Sequence, residues 1–321
     1  MGTIRNAGRW SAGLAMTALA CVGTPPTSGT VDDTAGRLGT NVIVFSSLRA
    51  EDAGTSDDIY IKDVDGAGER RLTTAPGQDG AAMVSPDRRT IAFASERTGL
   101  MQLWAMDVDG SDQRQLLDSG SFDFHPAWSH DGASILFQRR SPTTGLDLWV
   151  LDADTGGQRQ LTGLPRNEIG AFFSPDDSLV AFGGNNGTSQ DVWVVPASGG
   201  TPIALTSDVC IAGTDPCVRS FDGHPSWTPD GRILFLSDRS GGIGIWTMSS
   251  EGSDPRLVVD LGEASAGMPA MSANGQRITF VTDLHALGGD RNVYTVRHDG
   301  RQLRRLTSTG DDLAPQFASG G

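Results

Sequence analysis

Five acidic side chains recur at one position of the sequence, each three residues before a short apolar run that begins with proline or alanine. They are Asp79, Asp123, Glu168, Asp222 and Asp312, and a sixth copy of the pattern has Ala266 there. Carboxylates that converge on one opening of a fold would attract a cation, an amine or a basic segment of a partner. In the alternative interpretation, each carboxylate accepts backbone N–H groups and so caps a turn. The pattern is compatible with both interpretations.

Two histidines, His125 and His224, stand close to two of these acids in matched F-D-x-H-P-x-W segments. The segments are Phe122–Trp128 and Phe221–Trp227. Together with Asp123, Asp222 and Glu168, the imidazoles form a nitrogen and oxygen set of the kind that binds a divalent metal. In the alternative interpretation, the histidines are hydrogen-bonded within their own repeats and bind nothing.

Sequence signatures of common catalytic sites are missing. There is no G-x-S-x-G nucleophile elbow, no G-x-x-x-x-G-K-[ST] phosphate loop and no H-E-x-x-H metal motif. Enzymes can also assemble a site from scattered loops, which no local pattern reveals. The missing motifs therefore weaken the case for an enzyme without closing it.

Strands must position these residues, because nearly the whole chain follows one repeat. A turn of S-P-D type recurs with steps of 44, 45, 54 and 44 residues, at Ser85–Asp87, Ser129–Asp131, Ser174–Asp176, Thr228–Asp230 and Ser272–Asn274. Each unit contains four short runs rich in β-branched and aromatic residues, separated by Asp, Gly, Pro and Ser. A period in the forties with four strands per unit is typical of a β-propeller. We predict four-stranded antiparallel blades and almost no helix.

The two ends of the chain bring the number of blades to six. Before the first complete unit, Ile43–Phe45, Ile59–Tyr60 and Leu72–Thr73 supply the second, third and fourth runs of a blade that has no first run. After the last unit, Pro315–Phe317 looks like an isolated first run. We predict that this C-terminal strand joins the N-terminal blade and closes the ring, which leaves no open sheet edge between the first and last blades.

Residues 41–319 resemble the TolB-like β-propeller repeat, whose unit is similar to P-x-W-S-P-D-G-x-x-I-x-F-x-S-D-R. Pro225–Trp246, PSWTPDGRILFLSDRSGGIGIW, carries the match most fully. The resemblance implies that the first run of each blade is the innermost strand, so that the five acids and both histidines lie at the central channel. It also implies docking of a protein or peptide at one channel opening. TolB itself has an α/β domain before its propeller, and we expect none in this chain.

The N-terminus predicts export. Arg5 and Arg9 precede an apolar stretch, so residues 1–20 read as a signal peptide. The stretch ends in Ala-Leu-Ala-Cys, which predicts lipidation of Cys21, with ordinary signal cleavage as the alternative. Residues 21–40 would then be a lipidated or flexible tether. In an oxidising compartment, the spacing of Cys210 and Cys217 suggests a local disulfide.

The formal net charge of −14 argues against binding to nucleic acid or to anionic lipid surfaces and favours partners with basic segments. We therefore predict a monomeric, non-catalytic propeller that binds an envelope protein or peptide through an acidic channel mouth. It would reside in the periplasm or on the outer membrane as a lipoprotein, or otherwise be secreted, and touch a membrane only through its lipid. No cofactor is predicted beyond a possible divalent cation in the channel. The alternative is a metal-assisted lyase or hydrolase acting on a polysaccharide or small molecule.

Overall fold

The computed structural model describes residues 36–49, 56–65, 68–185, 189–207, 220–285 and 290–318. Across these residues the chain forms six antiparallel sheets of four strands each, with no helix. The first strands of neighbouring sheets contact one another around the whole ring, and each sheet extends outward from this inner ring. The predicted six-bladed β-propeller is therefore confirmed.

Blade 1 is assembled from both ends of the chain. Its strands, from the channel outward, are β24 (Asp311–Phe317), β1 (Val42–Leu48), β2 (Asp58–Asp63) and β3 (Arg70–Arg71). Strand β24 pairs antiparallel with β1, with Ile43 opposite Phe317 and Ser47 opposite Asp312. The predicted closure by a C-terminal strand is thus also confirmed, and the backbone ladder that joins the two ends replaces two exposed edges.

The other five blades are continuous in sequence. Blade 2 contains β4 (Asp79–Val84), β5 (Thr90–Ser95), β6 (Gln102–Asp107) and β7 (Arg114–Gln115). Blade 3 contains β8 (Asp123–Trp128), β9 (Ser134–Ser141), β10 (Gly145–Asp152) and β11 (Gln158–Gln160). Blade 4 contains β12 (Asn167–Phe173), β13 (Leu179–Asn185), β14 (Gln190–Pro196) and β15 (Ile203–Ala204). Blade 5 contains β16 (Asp222–Trp227), β17 (Ile233–Ser237), β18 (Ile243–Met248) and β19 (Arg256–Gly262), and blade 6 contains β20 (Ala266–Met271), β21 (Arg277–Thr282), β22 (Asn292–Arg297) and β23 (Arg304–Arg305).

The hydrophobic core lies between blades. Each of six clusters of buried apolar side chains combines residues of two adjacent blades. The phenylalanine of the second strand is fully buried in every blade, at Phe45, Phe93, Phe137, Phe182, Phe235 and Phe280. Full burial of a phenylalanine stabilises the fold by roughly 1.5–3 kcal/mol, so this series holds the sheets face to face.

The S-P-D turns join the first and second strands of blades 2 to 6. In the turn of blade 2, the Ser85 hydroxyl donates to the Asp87 carboxylate, which also accepts the backbone N–H of Arg89. In each of the other four turns, the serine or threonine hydroxyl likewise donates to the Asp or Asn side chain two residues later. Residues of all five turns line one cavity, so the turns lie together at one end of the channel, where each innermost strand ends.

Candidate functional site

The five predicted site acids lie at the start of the innermost strands, at the end of the channel opposite the S-P-D turns. We call them the carboxylate layer: Asp79, Asp123, Glu168, Asp222 and Asp312. None of the five exposes any of its surface to solvent. The expectation that they form an exposed, negatively charged mouth must therefore be corrected, because none of the five carboxylates reaches the solvent at the channel opening.

Three of these acids pair with an arginine at the end of the second strand of their own blade. The closest guanidinium nitrogen to carboxylate oxygen distances are 3.0 Å for Arg97–Asp79, 2.7 Å for Arg139–Asp123 and 2.7 Å for Arg239–Asp222. Each guanidinium also lies over the tryptophan of the third strand, with its carbon 4.7, 4.7 and 5.2 Å from the rings of Trp104, Trp149 and Trp246. Each aspartate thus belongs to an Asp–Arg–aromatic cluster that ties three strands of one blade together.

Blade 1 has the same cluster, built across its two chain ends. Arg49, 2% exposed, lies 3.6 Å from Asp312 and 4.9 Å over the ring of Tyr60. The Thr307 hydroxyl donates to the second carboxylate oxygen of Asp312. Burial nevertheless raises the pKa of Asp312 to about 6. The cluster therefore adds side-chain bonds to the closure that β24 and β1 make through their backbones.

Blades 4 and 6 depart from this arrangement in different ways. Blade 6 lacks both charges, with Ala266 in place of the acid and Leu284 in place of the arginine. Blade 4 keeps the acid, Glu168, but no lysine or arginine pairs with it among the residues described. Its arginine, Arg166, comes from the preceding loop and lies 4.6 Å over the ring of Trp193.

The Glu168 carboxylate is satisfied by uncharged donors of blade 3 and of the loop that follows it. It accepts the backbone N–H groups of Leu148 and Leu164, each at 3.1 Å, and the hydroxyl of Thr162. Burial without a paired cation raises the pKa of Glu168 to about 7. This carboxyl group links two blades and changes its charge near neutral pH.

Each predicted histidine stands two residues after an acid of the carboxylate layer, on a β-bulge of its innermost strand. One residue of every innermost strand adopts a positive φ at the same position: Ala81, His125, Gly170, His224, Met268 and Ala314. In each blade the pairing with the second strand shifts register there. The bulge takes this residue out of the hydrogen-bonded ladder with the second strand. His125 and His224 flank blade 4, whose equivalent residue, Gly170, has no side chain.

Both imidazoles are neutral at neutral pH. Burial lowers the pKa of His125 to about 4, with a further contribution from the nearby His224, and burial likewise lowers the pKa of His224 to about 4. His125 is 7% exposed, and its Nδ1 atom has no hydrogen-bond partner. Its ring packs edge-on against Phe172, with centroids 5.6 Å apart.

The residues of the predicted metal-binding set do not gather into a ligand cluster in the described part of the chain. The carboxylates of Asp123 and Asp222 accept from Arg139 and Arg239 and so are not free to coordinate an ion. In the part of the chain that the structure describes, no three His, Cys, Asp or Glu residues lie together as a potential metal site. Two imidazoles alone would in any case be too few ligands for a metal site.

Beyond the bulges, the channel widens into a cavity of about 190 Å³ at the S-P-D turn end. We call it the turn-side cavity. Its walls include one residue from each blade, namely Met83, Trp128, Phe172, Trp227, Met271 and Gln316. Trp227 is held in place by a 3.0 Å bond from its indole N–H to the carbonyl of Phe172 in the neighbouring blade. The cavity is an apolar and aromatic pocket to which the whole ring contributes.

Two segments of the chain, residues 39–145 and 148–321, match the family model of the TolB β-propeller domain. The chain belongs to the TolB β-propeller family. Among curated relatives, the Tol-Pal system protein TolB of Anaeromyxobacter dehalogenans is 34% identical over 137 residues, which are 43% of this chain and 29% of that protein. Matches of this kind span less than a third of the TolB relatives' own length.

Solved structures agree on the fold. TolB from Acinetobacter baumannii aligns with a TM-score of 0.70 at 19% identity, covering 88% of this chain and 68% of that one. An oligogalacturonate lyase in complex with manganese aligns with a TM-score of 0.56 at 15% identity, covering 84% and 80%. At these identities the alignments establish a shared architecture and nothing about activity.

Sequence reasoning placed the acids and histidines of this TolB-family propeller on the correct strands but missed their partners. Arg97, Arg139 and Arg239 follow their acids by 18, 16 and 17 residues. The sixth copy lacks both members of the pair, at Ala266 and Leu284. That joint loss is the signal in the sequence that could have revealed the ion pairs.

Several predictions on the N-terminus and the cysteines lie outside the described residues. They concern the signal peptide, Cys21 and the pairing of Cys210 with Cys217. Among the residues that the structure describes, no helix has the length and apolar character needed to cross a bilayer.

Proposed function

We propose that this TolB-family chain is a non-catalytic cell-envelope protein that binds a segment of a protein or peptide partner at the turn-side cavity. One observation carries the proposal: the cavity is an open apolar pocket with walls from all six blades. A pocket of this kind suits a partner's anchor side chain, because buried aromatic contacts supply most of the energy of protein interfaces. The acids of the carboxylate layer, in contrast, are buried and occupied with internal hydrogen bonds and ion pairs.

The setting proposed for this protein is the periplasm or the outer membrane. Export through residues 1–20, and anchoring through Cys21 if it is lipidated, would hold the propeller in the envelope. Curated relatives named for the Tol-Pal system support an envelope partner. The net charge of −14 favours a partner with basic segments.

The proposal is tested by capturing partners from an envelope extract with the purified protein. We compare the wild type with Phe172→Ala, which enlarges the cavity, and with Leu257→Ala, a control at a side chain that is 44% exposed on the outer strand of blade 5. Proteins that bind the wild type and the control but not Phe172→Ala support the proposal. Equal capture by all three would show that binding occurs elsewhere. Binding that does not change between low and moderate salt would remove the electrostatic part of the proposal.

A second candidate function is the metal-assisted lyase or hydrolase acting on a polysaccharide or small molecule. The unpartnered Nδ1 of His125, beside the neutral imidazole of His224, is the observation in its favour. Two imidazoles would need ligands from solvent or substrate to complete a metal site. Metal analysis of the purified protein and its melting temperature with and without EDTA test this candidate. A protein that contains no bound divalent metal and melts at the same temperature in EDTA would eliminate it.

A further inference from the structure

The aromatic walls of the turn-side cavity are concentrated in one sector of the ring. Blades 3, 4 and 5 contribute Trp128, Phe172, Phe173 and Trp227, whereas the other three blades contribute Met83, Met271, Gln316 and a single aromatic ring, that of the 7% exposed Phe317. Methionine side chains are flexible and adapt to different shapes, while the aromatic side chains are rigid. The side of the cavity formed by blades 3, 4 and 5 is therefore a mostly aromatic wall, and the two methionines on the other side can adjust to what enters.

The rim of the same cavity carries negative charge. The S-P-D turns line the opening through residues such as Pro86, Pro175 and Pro229. The residue that follows each of these positions is exposed, and it is an acid in four of the five turns: Asp87, Asp131, Asp176 and Asp230. Hydrogen bonds within the turns keep the pKa of Asp131 below its usual range and lower that of Asp176 to about 2. Both carboxylates are thus ionised at any physiological pH.

Little positive charge offsets this rim. No lysine or arginine lines the cavity in the part of the chain that the structure describes. Within the five described turns, Arg89 of blade 2 is the one basic residue with an exposed side chain. Arg232, in the turn of blade 5, is partly exposed and pairs with Asp254 of an outer turn. The exposed acids without an exposed basic neighbour lie on the turns of blades 3, 4 and 5, the blades that supply most of the aromatic wall. Negative charge and aromatic surface therefore coincide in one sector.

A histidine links two turns of this sector and adds a hydrogen-bond acceptor. The Asp177 carboxylate accepts the backbone N–H of His130 at 2.8 Å and contacts the imidazole Nδ1 at 2.9 Å. Its other oxygen accepts the backbone N–H of Asp131 at 3.0 Å. With the proton on Nδ1, the lone pair of Nε2 is left to accept a bond from a donor that enters the cavity.

We infer that the turn-side cavity recognises a partner segment in which an apolar anchor side chain is flanked by lysine or arginine. This inference rests on the proposed function and adds the chemistry of the partner. The anchor fills the cavity between the aromatic wall and the two methionines. The flanking cations pair with Asp131, Asp176 and Asp230, and an N–H group donates to His130. Charge complementarity excludes anionic segments and speeds association.

The test uses three synthetic peptides and the full purified chain. The first peptide has a central leucine with two lysines on each side, the second has glutamates in place of the lysines, and the third has glycine in place of the leucine. Calorimetry or quenching of tryptophan fluorescence gives Kd. We expect the first peptide to bind at least about tenfold more tightly than either of the others at low salt, and its advantage over the glutamate peptide to shrink at high salt. Equal affinity for all three, or no binding of the first, would overturn the inference.

Variants of the protein complete the test. The triple change Asp131→Asn/Asp176→Asn/Asp230→Asn removes the rim charge and preserves the turns, because Asn274 already makes the same bonds in blade 6. The control, Asp109→Asn/Asp154→Asn/Asp299→Asn, removes three exposed charges from the outer turns between third and fourth strands. We expect the triple variant at the rim to raise the Kd of the first peptide by about five- to tenfold. We expect the control variant to change this Kd less than twofold.

The two proposals fail in distinguishable ways. Suppose that Phe172→Ala abolishes capture of the envelope partner, while the triple variant at the rim binds that partner and the lysine peptide as the wild type does. The proposed site is then correct, and the inference about basic flanking residues is wrong. If Phe172→Ala has no effect on capture, the proposed site itself is wrong.

Discussion

The two ends of the channel use similar residues for opposite purposes. In the carboxylate layer, the acids are buried, and four of the five lie beside an arginine, so their charge serves to hold strands together. At the turn-side cavity, the acids are exposed and the aromatic side chains line a cavity. The comparison teaches that a ring of acidic residues in a repeat sequence indicates a binding surface only where no partner cation recurs with it.

Removing one arginine of the carboxylate layer should have the largest effect on stability. Arg239→Leu leaves Asp222 buried without its cation and should lower the free energy of unfolding by about 3–5 kcal/mol in denaturant titrations. Adding Asp222→Ala reproduces the pair that blade 6 already contains, Ala266 and Leu284. The double variant should recover a large part of the loss. A double variant as unstable as the single one would mean that the pair matters for its packing and not for its charge.

The unpaired carboxyl of blade 4 should make stability depend on pH near neutrality. The pKa of Glu168 rises from an ordinary value of 4.5 in the unfolded chain to about 7 in the fold, so the folded state binds the extra proton between these values. Its contribution to stability is fully present below pH 4.5 and is lost as pH rises through 7, by up to about 3 kcal/mol. Glu168→Gln should abolish this loss between pH 5 and 8 in denaturant titrations. An unchanged slope in the variant would assign the dependence to other groups.

The channel histidines should act in the opposite direction. The pKa of His125 falls from 6.5 to about 4 on folding, so the unfolded chain binds the extra proton between these values. Stability is therefore lost as pH falls from 6.5 toward 4, by up to about 3 kcal/mol for this group. His125→Asn, which does not titrate and tolerates a positive φ, should flatten that part of the curve. Wild-type acid sensitivity in the variant would contradict the burial of a neutral imidazole.

Changes at the turn-side cavity should affect stability least. Phe172 is partly exposed, so Phe172→Ala should cost only about 1–2 kcal/mol in the same titrations. A loss as large as that of Arg239→Leu would show that this side chain serves mainly to hold blades 4 and 5 together. The contrast between the two ends of the channel would then disappear.

The sequence predicted the propeller well because its repeat is local. The I-x-F runs, the S-P-D turns and the isolated Pro315–Phe317 strand each follow from strand propensity and turn chemistry, and all of them occur as expected. The bulges were not predicted. Non-glycine residues such as His125 and His224 adopt a positive φ only because the register shifts against the second strand, and no local pattern encodes that shift.

The site was predicted less well for a physical reason. Burial decides whether a carboxylate forms internal ion pairs or presents its charge to solvent and partners. Burial in turn depends on neighbours that lie 16 to 18 residues away in the chain. The aspartates of the S-P-D turns were assigned to turn chemistry, which they do perform. Their second role, as exposed charge around the cavity, depends on where the ring places the turns.

The most direct test of this account measures partner affinity in two variants, one at each end of the channel. The partner captured from the envelope extract is titrated against Phe172→Ala and against the charge-free pair Asp222→Ala/Arg239→Leu, under conditions in which both are folded. The account predicts a partner Kd at least about tenfold weaker for Phe172→Ala and unchanged for the charge-free pair. Wild-type affinity in Phe172→Ala with lost affinity in the charge-free pair would contradict it.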